Sequence, residues 1–278
     1  MKPARIFILT LLAMIAFAGN SLLCRAALKQ TSIDAATFTF IRIFSGAAAL
    51  WVIMKMRGAA WKEAGNWSSA LALFAYAAAF SFAYNSLSAG TGALLLFGAV
   101  QATMILWGFR RGDRLHTIQI VGLVVAVTGV VVLLLPGLSA PPLSGSILML
   151  GAGVAWGIYS LRGKMEKNPV NSTAGNFLRA VPLAAIVTVI LLPWARLDRA
   201  GIGYAITSGA IASGLGYVIW YTALSGLKAA SAATVQLSVP VLAATGGILL
   251  LRRTDYFPLP HRLNRRVRWH RARHNRKE

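Results

Sequence analysis

Two arginines stand inside apolar runs of this chain. Arg42 lies in "TFTFIRIFSGAAAL" (37–50) and Arg179 in "AGNFLRAVPLAAIV" (174–187), each about a third of the way along an apolar stretch. A guanidinium there is costly, so it has either a task or a partner. As a task it would draw a carboxylate or a phosphate. As a partner it would bind carbonyls near a helix end or reach toward lipid headgroups. Other reactive chemistry is thin. Asp34 follows "TSI" and reads as a helix cap, while Asp113, Glu166 and Asp198 fall in breaks between apolar runs. There are no paired carboxylates, no His/Cys group at metal-ligand spacing and no nucleophile elbow; His116 is solitary and Cys24 has no second cysteine to pair with. "GAGVAWG" follows no strand, so it reads as a packing run rather than a phosphate loop. The expectation is a protein that is not an enzyme and uses no cofactor or metal.

The elements that must position these residues are membrane helices. With 57% hydrophobic and only 13% charged residues, the chain is too apolar for a soluble domain of its length. Roughly 20 apolar residues span a bilayer core. Such runs fall at 6–23, 35–54, 68–87, 92–109, 117–135, 145–161, 174–192, 202–224 and 229–251, nine in all. The separators are short and carry turn or charge signals, among them "KQTSID", "FRRGDRLH", "PGLSAPPLSG" and "RGKMEKNPVNS". Lys2 and Arg5 ahead of a run ending "AFAG" resemble a secretory signal, but this run has a partner later in the chain, and so reads as a retained first span.

That partner belongs to an internal repeat. At an offset of 137, Phe40 meets Phe177, Arg42 meets Arg179, Ala47–Ala48 meets Ala184–Ala185, and "YNSLS" (84–88) meets "YTALS" (221–225). With two residues of slippage "AFAGNSL" (16–22) meets "AWGIYSL" (155–161). The first four spans therefore recur as the sixth to ninth. The fifth closes the first unit, and because five is odd the second unit enters the membrane inverted. Inverted repeats are a transporter signature, with the substrate site near the midplane where the units meet. The expected fold is all-α and polytopic: two inverted five-helix repeats with nine recognisable transmembrane helices, divided as 1–137, 138–251 and a non-spanning tail, 252–278. With the N-terminus inside, the inner segments hold twelve Lys/Arg and the outer loops only Arg25, Lys29, Arg196 and Arg199. That bias places the N-terminus in the cytoplasm. The expected location is a cell membrane crossed several times, a bacterial inner membrane.

Several motifs in this order resemble the EamA-type transporters of the drug/metabolite transporter superfamily: "FIR" and "FLR" in the second and seventh spans, "AWGIYS" in the sixth, "VGLVVAVTGVVVLL" in the fifth and "VQLSVPVLAATGG" in the ninth. The resemblance covers residues 5 to 251. It implies ten helices, both termini cytoplasmic, a central cavity lined by spans 1–4 and 6–9, and transport of small metabolites such as amino acids and their relatives by alternating access. On those spans lie Asn20, Ser21, Tyr84, Asn85, Gln101, Trp156, Tyr159, Trp220, Tyr221 and Gln236, whose polar tips would orient a small-molecule substrate, or else bond neighbouring helices and line interface belts. Gly153 and Gly157 would let two helices approach closely. Two features depart from the family pattern. Gln101 stands where a proline is usual, and Arg252–Arg253 replace a Gly-Glu pair for which Gly112–Asp113 is the earlier counterpart.

The repeat calls for a tenth helix after Leu251. The chain supplies instead "DYFPLPHRLNRRVRWHRARHNRKE", with two prolines and a strongly basic composition that cannot span. As an outer segment it would reverse the charge bias, which favours a tail read out of frame or a broken end. A basic segment resting on anionic lipid and a nucleic-acid arm are the other readings. The expected partners are a small-molecule substrate and the lipid bilayer, with no nucleic acid; the sequence leaves room for a homodimer. A transport-inactive truncated fragment and an intramembrane enzyme stand as alternatives to transport.

Overall fold

The computed structural model describes residues 2–58, 64–110, 124, 128, 140–166, 168–227 and 229–251. The basic tail lies outside the described residues, as does the run 117–135 apart from Val124 and Thr128. Among the described residues every regular element is helical: α1 Pro3–Gln30, α2 Ala35–Met56, α3 Trp67–Ala83, α4 Ala89–Arg110, α5 Leu143–Lys164, α6 Pro169–Ile190, α7 Arg199–Leu224, α8 Ala229–Gln236 and α9 Ser238–Leu250. Six of them, α1, α2, α4, α5, α6 and α7, are long and apolar enough to cross a membrane. The apolar stretches Trp67–Ala83 and Thr234–Leu250 are shorter. Large apolar side chains such as Phe7, Leu106, Ile147 and Ile190 remain exposed along these helices, as lipid-facing surfaces require.

Helix ends are set by local chemistry. Asp34 caps α2, accepting from the N–H groups of Ala36 (3.0 Å) and Thr37 (2.9 Å). Asn66 caps α3 through the N–H of Ser69, and Asp198 caps α7 through that of Gly201. Gly65, at φ 76°, takes the left-handed turn that leads into Asn66. The last apolar run, read as one span over 229–251, is two helices separated by a turn at Leu237. Pro240 explains the break, since its ring collides with the carbonyl four residues back, at Gln236. The third run stops at Ala83 rather than 87, because Tyr84–Ser86 form the turn into α4. The first run continues to Gln30, which carries Arg25 into α1. Read as an outer-loop charge, Arg25 is instead buried and donates through Nη1 to the Tyr84 carbonyl at 2.9 Å.

Contacts group the helix ends into two sets. At one end of the bundle Asp34 Oδ2 accepts from the Arg196 N–H at 2.9 Å, Gly201 packs on Ile33, Gly145 on Ser86, and Gly247 on Ala89. At the other, Arg162 donates to Ser69 Oγ (2.8 Å) and Asn66 Oδ1 (3.0 Å), and Asn66 donates its N–H to Asn176 Oδ1. Successive helices therefore alternate in direction, except that α4 and α5 run parallel and α9 continues the course of α8. Gly153 of α5 lies against Leu96 and Ala99 of α4, and Gly157 against Thr103. A side chain at Gly153 would run into the α4 backbone, so the close approach needs glycine. In the packing, α1 lies against α7 and α9, α5 against α3 and α4, and α2 against α6 and α7; α6 also packs on α3, and α4 on α9.

Candidate functional site

The helices meet around an aromatic box. Phe17 of α1 is at its centre, with ring centroids 5.6 Å from Trp156, 6.0 Å from Tyr217 and 5.7 Å from Trp220. Tyr76 closes another side, 4.9 Å from Trp156, and Phe177 packs on Tyr217 at 5.7 Å. With Phe97 of α4 stacked on Phe17 at 6.5 Å, four helices of the first half and three of the second contribute to this box or to its polar edge.

Arg42 forms the polar edge. It is 2% exposed, and its guanidinium lies over the rings of Tyr76 (5.2 Å) and Phe80 (4.9 Å). Nη2 donates to Tyr76 Oη at 3.0 Å and Nε to Ser213 Oγ at 3.3 Å, while Nη1 is buried with no hydrogen-bond partner. Asn20 joins the same network: its Nδ2 donates to Tyr76 Oη (3.2 Å) and its Oδ1 accepts from Ser208 Oγ (2.6 Å). Ser208 and Ser213 both sit on the π-helical stretch Thr207–Leu215 of α7. That extra residue per turn lets both serines reach inward, and Gly209 between them lies so close to the Arg42 carbonyl that a Cβ would collide with it.

A cavity opens beside this network, lined by Phe17, Asn20, Ser21, Tyr76, Phe80 and Trp156 with neighbours from α4. Its free space is about 10 Å³, room for roughly one water molecule. The arrangement is therefore closed around its centre. Ser21 Oγ, Tyr217 Oη and Trp220 Nε1 are also buried without hydrogen-bond partners. The described carboxylates Asp34, Glu166 and Asp198 are all at helix ends, and no group of three or more potential metal ligands occurs among the described residues.

The remaining candidates divide by place. Trp156 donates through Nε1 to Gln236 Oε1 at 3.4 Å, and Gln236 in turn donates to the Ala232 carbonyl. Gln101 is buried on α4. Tyr159 and Tyr221 lie together nearer the Asn66 end, centroids 6.4 Å apart, both hydroxyls unpartnered and Tyr221 against Gly163. Tyr84 is away from the box, its hydroxyl donating to the Ala89 carbonyl at 3.2 Å, and Asn85 is exposed in the α3–α4 turn. Arg179 is half-buried, its Nη1 donating to the carbonyls of Ala64 (2.6 Å) and Gly175 (3.0 Å). The two repeat-related arginines thus occupy different environments. Phe17, Tyr76, Phe80, Ser208, Ser213 and Tyr217 escaped the sequence reading. The repeat held a signal for four of them, since its offset of 137 carries Tyr76 to Ser213 and Phe80 to Tyr217.

An all-helical bundle with lipid-facing sides and a buried polar centre is a multi-pass membrane protein of transporter type. The chain belongs to the EamA-like transporter family, whose profile matches residues 4–135 and again 143–255. It is 57% identical to an uncharacterized protein of Pseudomonas aeruginosa over 90% of this chain and 88% of that one. It is 28% identical to an Escherichia coli protein named a "probable amino-acid metabolite efflux pump", over 59% of this chain and 60% of that one. A crystal structure matches it with a TM-score of 0.65 at 17% identity, covering 85% of each chain, which shows a shared fold.

Proposed function

We propose that the chain carries small metabolites, amino-acid-like or related solutes, across the membrane by alternating access between two inverted halves, 1–137 and 138–251. The carrying observation is the buried Arg42–Tyr76–Asn20 network, which joins the first half to Ser208 and Ser213 of the second around a closed centre. Three facts support the inverted halves. The family profile matches twice. Exchanging α1 with α5, α2 with α6, α3 with α7 and α4 with α9 maps the principal helix contacts onto each other. Each exchanged pair also runs in opposite directions. α4 ends at the end of the bundle opposite to the start of α5. The loop charges orient the N-terminus to the cytoplasm. The relative's name supports amino-acid-like solutes. With no Asp or Glu inside the described helices, coupling does not run through a membrane carboxylate, which leaves facilitated diffusion, exchange, or coupling through other groups.

The test is a lock. A Cβ on Gly247 would lie 3.7 Å from that of Ala89, close to disulfide spacing. Ala89→Cys/Gly247→Cys protein in liposomes should exchange a labelled amino-acid-like solute when reduced, stop when oxidised, and recover with reductant. Undiminished exchange in the cross-linked state would refute alternating access.

A further inference from the structure

The unpartnered polar atoms around the box share one chemical bias. Arg42 Nη1 and Trp220 Nε1 are obligate donors, and the hydroxyls of Ser21 and Tyr217 can donate as well. The groups that face Arg42 are two phenols, Tyr76 and Tyr217, and the thiol of Cys24. No described carboxylate faces it, because Asp34, Glu166 and Asp198 cap or follow helices at the bundle ends. The centre therefore offers the buried charge of Arg42, with the buried Arg25 beyond Cys24, surplus donors and aromatic walls. A buried charge calls for a counter-ion, and the described helices provide none.

We propose that the solute supplies that counter-ion: the site selects organic monocarboxylates of net negative charge, and prefers them to the zwitterionic amino acids of the same skeleton. The inference rests on the transport reading above and narrows its substrate class. The closed cavity admits about one water, so the solute enters as the chamber opens. Its carboxylate then sits at Arg42 Nη1, where a charge-assisted hydrogen bond completes the guanidinium, and its apolar body lies against Phe17 and Trp156. A monocarboxylate balances the charge of Arg42 and adds no positive charge of its own. With an amino acid the carboxylate neutralises Arg42, but the ammonium reintroduces a positive charge. The aromatic faces of Tyr76 and Phe80 nearest the carboxylate are already occupied by the guanidinium, and no acidic side chain among the described residues meets the box. A neutral amide would offer the same shape and leave Arg42 uncompensated.

Isothermal titration of the purified full chain in lipid nanodiscs at pH 7 tests this with isocaproate, leucine and isocaproamide, which share one carbon skeleton. Isocaproate should bind tightest and isocaproamide weakest, separated by at least about tenfold, with leucine between. Arg42→Gln should weaken isocaproate by about thirtyfold or more and level the series, as loss of one partner of a buried charge pair does. Arg42→Lys keeps the charge, so it should preserve the order even where overall affinity drops; it also serves should Arg42→Gln fail to fold. Absence of isocaproate binding, equal binding of the amide, or tighter binding of leucine each overturns the assignment. Binding is read apart from movement. Protein that binds isocaproate in this order yet exchanges no solute in liposomes would sink the transport reading and keep the site, while exchange with leucine preferred would do the reverse.

Discussion

Tyr76→Phe removes one oxygen and should cost far more than a typical hydroxyl. Tyr76 Oη accepts from Arg42 Nη2 at 3.0 Å and from Asn20 Nδ2 at 3.2 Å. Without it, Arg42 keeps only the longer bond to Ser213, and one donor on each of two buried side chains is stranded. Hydrogen bonds to charged groups contribute about 1.5–3 kcal/mol, and a stranded neutral donor costs about 1–3 kcal/mol, not fully additively. Within membranes measured contributions are smaller, about 0.6–2 kcal/mol each. Taking the middle of these ranges gives about 2–3 kcal/mol for Tyr76→Phe. Tyr84→Phe is the internal control. Its hydroxyl makes a single neutral bond, to the Ala89 carbonyl at 3.2 Å, so the same substitution there should cost about 1 kcal/mol or less. Melting of both variants in one detergent should place Tyr76→Phe lower by several degrees, since about 1 kcal/mol moves a midpoint by about 2–4 °C in a chain of this size class. Equal melting temperatures would show that the Arg42 network carries little energy and would refute the reasoning from its geometry.

Arg179→Gln should lower yield and melting temperature while transport by the surviving protein stays normal, because Arg179 bonds the carbonyls of Ala64 and Gly175 instead of facing the box; loss of transport at full yield would contradict this. Asp34→Ala removes the cap of α2 and should cost about 1–2 kcal/mol at pH 7. Burial raises the Asp34 carboxyl, but hydrogen bonds from the Thr37 side chain and from the backbone N–H groups of Arg196, Thr37 and Ala36 outweigh it and hold the group below its ordinary range. The stabilisation is therefore present above the unfolded value of about 3.9 and is lost as pH falls through the lower folded value, so the gap between wild type and Asp34→Ala should close in melts taken below about pH 4. Gly153→Val drives a side chain into the α4 backbone at Leu96 and should abolish folded protein on size exclusion. Met165→Cys should be shielded from an impermeant thiol reagent added outside intact cells and Ala140→Cys labelled; the reverse pattern would overturn the N-in orientation.

Features that depend on local chemistry were legible in the sequence. Asp34 announces its cap by type and place. Arg42 stands out because any charge does in an apolar run. The centre of the box was not legible, for a physical reason. These helices are apolar on every side, some faces meeting lipid and others protein, so no amphipathic period tells inward from outward. Tyr76 in "FAYAAAF" and Phe17 in "AFAGN" look like any membrane aromatic until packing turns them toward Arg42 and Trp156. The same limit misplaced Arg25, since hydropathy falls at a charge whether it meets water or, as here, a buried carbonyl. The π-helical stretch depends on helix contacts, and no residue in "TSGAIASGL" demands it.

The central claim is that one chamber opens in turn to each side of the membrane, and a cysteine at Ser21 tests it most directly. Ser21 lines the central cavity and is 1% exposed in the closed arrangement. In a Cys24→Ser background, Ser21→Cys should react with an impermeant thiol reagent in right-side-out and in inside-out vesicles alike. Oxidising the Ala89→Cys/Gly247→Cys lock in that same protein, with Ser21→Cys left free, should silence labelling from the side where those ends meet and spare it from the other. Labelling from one side only without the lock, or from neither, would contradict alternating access through this site.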